Sequence, residues 1–113
     1  MNYTNDDLEL LAKLVTAEAG GEPFDGMLAV ATVVLNRLED RRYPDCLPDV
    51  IYQKSQFARP AKLASETCCK AAKKVLDGYR TFPKEVMMFQ RRRIDQWYGK
   101  AWRCQIGAHN FYG

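Results

Sequence analysis

Two carboxylates, Glu18 and Glu22, flank a glycine pair in the stretch TAEAGGEPFDG, residues 16–26. A glutamate in the last turn of a helix faces the negative end of the helix dipole, and packing against an apolar neighbour strips its hydration. Both effects keep the acid protonated nearer neutral pH, the state a general acid needs to cleave a glycosidic bond. Gly20 and Gly21 carry no side chains, so a bulky polymer can approach Glu18 closely. The competing reading of Glu18 is an exposed glutamate on a polar helix face. Glu22 reads as a second carboxylate, as a partner that orients substrate, or as an N-terminal acid of the next helix. The number of acids decides the chemistry. Inverting or retaining hydrolysis uses two carboxylates, whereas attack by the sugar's own hydroxyl needs one acid that later serves as base.

A second cluster lies near the other end, in DQWYGKAWRCQIGAHNFYG. Trp97, Tyr98, Trp102, Phe111 and Tyr112 offer apolar faces with polar edges, which suits sugar rings and equally suits a small core. His109 is the single histidine, a poor basis for a metal centre and a reasonable hydrogen-bonding or substrate-contacting residue. QRRR at 90–93 raises a rival, phosphate binding to nucleic acid, but no second basic run or recognition-helix pattern accompanies it. Cys46, Cys68, Cys69 and Cys104 show no zinc-ligand spacing, so we expect reduced thiols and no metal or cofactor.

These groups must be held by a small scaffold. The 113 residues, 47% hydrophobic and 27% charged with a net charge of +3, fit one globular domain spanning 1–113. No apolar run reaches the roughly 18 residues of a spanning helix, so membrane insertion is not expected. The acidic opening MNYTNDDLEL lacks a secretory signature. The expectation is action where the chain is made, delivery by another route, or an excised domain. Thr4 caps a first helix with Leu8, Leu11, Val15 and Ala19 on its apolar face, ended by Gly20 and Gly21. Pro23 and Asp25 open a second helix that is apolar on nearly every side from Met27 to Leu38, the central core helix. PDVIYQKSQFARP reads as one helical turn followed by irregular chain. Ser65 caps a third helix with Cys68, Ala72, Val75 and Leu76 inward and Gly78 as terminator. EVMMFQ, WRCQIG and AHNFYG then read as strands, the last two joined by a tight turn. The sketch is α+β: three helices followed by a small antiparallel sheet.

Three segments in order, AKLVTAEAGGEPFDGMLAVATVVLNRL, YPDCLPDVIYQKSQFA and QWYGKAWRCQIGAHNFYG, resemble the SleB/CwlJ-type cell wall hydrolases, the spore cortex-lytic enzymes. The likeness covers nearly the whole chain. It implies a mainly helical, lysozyme- and lytic-transglycosylase-like domain that cleaves the glycan of peptidoglycan, with Glu18 as the acid. It also implies a supporting, substrate-facing role for Glu22, and groove-shaping roles for Asn36, Gln56, Phe57, His109 and Tyr112. Trp97 and Tyr98 join these as candidate sugar-binding residues. Asn36 and Phe57 read equally well as structural.

The chain departs from the family in three respects. Neither the signal nor the wall-binding module of exported members is read in it, so the expectation is a single-domain CwlJ-type protein at the spore surface, with an accessory germination protein as a possible partner, or else a prophage-borne or excised domain. Ala58 stands where many relatives have serine, and Arg91–Arg93 match no family feature. Two other functions compete with a glycan-cleaving enzyme: a non-catalytic peptidoglycan-binding module, and a nucleic-acid binder using QRRR. Within the enzyme reading, water in place of the sugar hydroxyl would make a muramidase-type hydrolase.

Overall fold

The computed structural model describes residues 2–113. Helix α1, Asn5–Ala19, begins at a reciprocal cap in which Thr4 Oγ1 accepts from the Asp7 amide and Asp7 accepts from the Thr4 amide. It ends at Gly20, whose φ of −61° is right-handed. Glycine is needed there for closeness rather than for a left-handed turn, because a Cβ on Gly20 would lie 2.5 Å from the Thr16 carbonyl oxygen. After the corner at Gly21–Pro23, helix α2 runs Phe24–Leu38, and every residue from Gly26 to Arg37 is buried. A helix with no polar face must be surrounded. Helices α1 and α4 (Glu66–Leu76) pack along it, and the single turn α3 (Leu47–Ile51) closes one end. Ser65 caps α4 by accepting from the Cys68 amide, and Gly78 at φ +122° releases the chain from that helix.

The sheet order is β1-β4-β3-β2, all antiparallel, with β1 Met88–Gln90, β2 Gln96–Trp97, β3 Lys100–Ile106 and β4 His109–Tyr112. The short strand β2 has no counterpart in the sequence reading, because two residues carry no alternation to detect. The turn between Ile106 and His109 places Gly107 at φ +58°, a left-handed position that a tight hairpin assigns to glycine. Strand β4 is buried along its whole length. On one of its faces Phe111 meets Phe82 and Phe89, with ring centroids 4.8 and 5.8 Å away. On the other, Asn110 and Tyr112 support the chain at 91–94. Asn110 Nδ2 donates to the Arg91 carbonyl (2.9 Å), the Tyr112 hydroxyl donates to the Arg92 carbonyl (2.9 Å), and the Ile94 amide donates to that hydroxyl (3.2 Å).

The end of α2 explains how helices and sheet are joined. Asn36 donates to the carbonyls of Pro83 (2.9 Å) and Val86 (3.0 Å), and Arg37 Nε donates to the carbonyl of Met87 (2.7 Å). Two buried polar residues thus satisfy the backbone of the segment that leads into β1. All four cysteines are free thiols. Among the described residues no helix is long and apolar enough to cross a membrane.

Candidate active site

Glu18 stands at the last turn of α1, half-buried. Its Oε2 accepts a hydrogen bond from the Ala58 amide at 3.2 Å. Burial raises its pKa above the ordinary carboxylate value, opposed by that bond and by the charges of Arg91 and Arg37. The contact uses Ala58 through its backbone, so a missing serine hydroxyl leaves it intact. Glu18 lies in a pocket with Gly20, Gly21, Glu22 and Arg91. A side chain at Gly21 would meet no atom within 4 Å, so this side of the acid is open.

The segment leading to Ala58 is anchored by Arg37, a charged residue only 5% exposed at the end of the apolar helix. Arg37 Nη1 donates to Gln56 Oε1 at 2.9 Å, and its guanidinium lies over the rings of Phe57 (4.5 Å) and Tyr43 (5.3 Å). Phe57 in turn stacks on Phe89 at 6.0 Å. Arg37, Tyr43, Gln56, Phe89, Trp97 and Tyr98 wall a cleft of about 480 Å³. Ser55 and Tyr98, both on this cleft, are the non-glycine residues with left-handed backbone among those described, at φ +61° and +51°. Such conformations are held by surrounding structure and concentrate at binding sites. The Gln56–Ala58 segment therefore runs from an aromatic cleft to the acid.

The other candidates face inward. Glu22 Oε1 accepts from the Ala108 amide at 2.7 Å, across 86 positions of sequence. A Cβ on Gly107 would lie 2.7 Å from Glu22 Oε2. The carboxylate thus ties the α1–α2 corner to the β3–β4 turn while keeping one edge on the Glu18 pocket. His109 is 2% exposed, with Nδ1 3.5 Å from Glu22 Oε1 and no hydrogen-bond partner. Burial pushes its pKa below the ordinary imidazole value, Arg91 adds to this, and Glu22 opposes. At neutral pH it is an uncharged ring seated edge-on against Phe89. Asn36 and Tyr112 are committed to the backbone contacts described above, so neither presents a free polar group to a groove. Of the C-terminal aromatics, Trp97 and Tyr98 reach the cleft and Phe111 and Tyr112 fill the interior.

In the sequence Arg37 goes unmarked, and Arg91 is read only as part of a phosphate-binding run. Arg37 had a visible signal, a lone cation closing an otherwise apolar helix; burial of that kind requires partners. For Arg91 the place beside Glu18 had no signal, because it depends on the pairing of β1 with β4.

Two outcomes follow. The native state holds the Glu18 proton more tightly than the unfolded chain does. Its contribution to stability is therefore complete below the ordinary carboxylate pKa and lost as pH rises through the raised value. Glu18→Gln removes this titration, so its melting temperature should exceed that of wild type at pH 7 and converge with it near pH 4. Identical curves at both pH values would contradict the desolvated acid. Gly107→Ala should destabilise by about 2 kcal/mol in urea unfolding, from a left-handed backbone and a crowded Glu22. An unchanged midpoint would mean that the turn is not pinned to the corner.

The fold is thus a helical unit with two half-buried acids at a glycine corner and an aromatic cleft beside a small sheet. Residues 21–112 match the family described as Cell Wall Hydrolase, and the chain belongs to that family. The match begins after Glu18. The chain is 30% identical over 116 residues to the spore cortex-lytic enzyme of Bacillus subtilis, covering 96% of this chain and 38% of that protein. It is 30% identical over 122 residues to the cell wall hydrolase CwlJ of the same organism, covering 96% and 86%. It superposes on the catalytic domain of the germination-specific lytic transglycosylase SleB of Bacillus anthracis with a TM-score of 0.86 at 25% identity, covering 99% and 98%. The chain spans well under half the length of the cortex-lytic relatives it matches.

Proposed function

We propose that this domain cleaves the glycan strand of peptidoglycan, in spore cortex or cell wall, as a lytic transglycosylase with Glu18 as its single acid and base. The observation that carries the reading is the different placement of the two carboxylates. Burial raises the Glu18 pKa and its Gly21 side is open, while Glu22 is tied to the β3–β4 turn through the Ala108 amide and lies against Gly107.

Glu18 donates its proton to the oxygen between N-acetylmuramic acid and N-acetylglucosamine as the bond to the muramic C1 breaks. The oxocarbenium-like sugar is then attacked by its own 6-hydroxyl oxygen, and the Glu18 carboxylate takes the proton that this oxygen releases. No water is consumed, and the new end is a 1,6-anhydro sugar. Trp97 and Tyr98 offer ring faces for sugars further along the strand. The names of the spore cortex-lytic relatives support cortex glycan as a substrate and the spore as the place of action.

Mass spectrometry of fragments released from vegetative peptidoglycan and from decoated spore cortex tests this reading. Anhydro-muramyl ends made by wild type and absent with Glu18→Gln are expected. Reducing ends would mean that water is the acceptor, making the domain a hydrolase. Binding without any fragments would replace the enzyme with a wall-binding module.

A further inference from the structure

Arg91 remains without a role in the chemistry above. Its neighbour Arg93 is neutralised by Asp95 at 3.1 Å and lies over the Trp102 ring at 4.1 Å. Arg91 shares a pocket with Glu18 and Glu22, yet among the described residues it pairs with no carboxylate within salt-bridge distance. Glu18 is turned to the Ala58 amide and Glu22 to the Ala108 amide. The backbone from which it rises is nonetheless pinned. Buried Asn110 and Tyr112 hold the chain at 91–94 through three hydrogen bonds, and the exposed Arg91 side chain leaves it beside the acid. A guanidinium that rises from a pinned backbone, pairs with no carboxylate within salt-bridge distance and lines an open pocket can receive a carboxylate.

Resting on the transglycosylase reading, we infer that Arg91 recognises the carboxylate of the lactyl-linked substituent on the muramic acid residue and selects glycans that bear that charge. The sugar cleaved next to Glu18 is the one that carries this substituent, so the charge arrives on the same residue as the scissile bond. A guanidinium–carboxylate contact of this kind should favour charged over neutral strands by about tenfold in kcat/KM.

The test compares soluble glycan strands with free lactyl carboxylates and the same strands after those carboxylates are converted to primary amides. Wild type should prefer the charged strands by about tenfold at low salt, and less as salt rises. Arg91→Gln should reduce the preference to about threefold or less, mainly through KM, and Arg91→Lys should restore part of it. Arg92→Gln, which alters a neighbouring side chain outside this pocket, should keep the full preference and so serves as the charge control. Stem-peptide-bearing strands identify the source. A larger Arg91-dependent preference there places the recognised carboxylate on the peptide, and a smaller one places it on the lactyl group. Equal cleavage of charged and amidated strands by wild type would overturn the inference. So would a preference that survives in Arg91→Gln, or equal losses on both strands, which would leave Arg91 only tuning Glu18. Failure of wild type to cleave either strand would instead defeat the transglycosylase reading.

Discussion

Glu18→Gln should release at least about a thousandfold less soluble glycan than wild type. One positioned acid or base contributes about 10²–10⁴ in rate, and here the same carboxyl serves both steps. Glutamine preserves volume and still accepts from the Ala58 amide, so glycan binding should stay within about threefold. The informative comparison is Glu22→Gln. Its carboxylate accepts from the Ala108 amide, and the amide oxygen can keep that bond, so its activity should fall by about tenfold or less. Comparable losses in the two variants would require a two-carboxylate hydrolysis. Retention of more than a tenth of activity in Glu18→Gln would remove Glu18 from the chemistry.

Arg37→Met should produce the largest structural effect. The thioether fills much of the arginine's volume but leaves the Met87 carbonyl and Gln56 Oε1 without their donors, and it removes the cation from the Phe57 and Tyr43 rings. Loss of a buried charged donor to two acceptors costs about 3 kcal/mol, which in a domain of this size lowers the melting temperature by on the order of 10 °C. A second consequence is separable from stability. Arg37 holds Gln56, two residues before the amide that fixes Glu18, so kcat should fall about tenfold at temperatures where the variant remains folded. A melting shift with kcat unchanged would confine Arg37 to the scaffold.

How far the residues themselves announced this arrangement depended on the range of the interactions involved. Thr4, Ser65, Gly78 and the apolar run from Met27 to Leu38 act within a few residues of themselves, and caps, core helix and helix end fall where local chemistry puts them. Glu18 was marked by its neighbours in sequence, two glycines and an apolar helix. Asn36, His109 and Tyr112 were legible only as polar residues near a motif. Asn36 and Tyr112 are turned inward by partners 18 to 50 positions away, such as the Val86 carbonyl and the Ile94 amide, and His109 is seated against Phe89 and Glu22, 20 and 87 positions away. Strand β2 and the place of Arg91 likewise follow from sheet pairing, which composition and periodicity do not encode. The arginine run that first suggested a phosphate-binding face is divided in space, one member beside the acid and another paired with Asp95.

The bond from the Ala108 amide to Glu22 also sets an order of events. Helix α1, which contains Glu18, and helix α2 can form early, from local contacts. The walls around that acid come later. Phe89 and Arg91 are positioned only when β4, the last strand in the chain, inserts between β1 and β3. A growing polypeptide emerging from the ribosome therefore carries its acid long before it carries a site. Its ability to attack glycan should appear abruptly, when the final strand docks. A chain clipped before β4 loses the buried Phe111 and the support of Phe89 and Arg91, and should not cleave glycan.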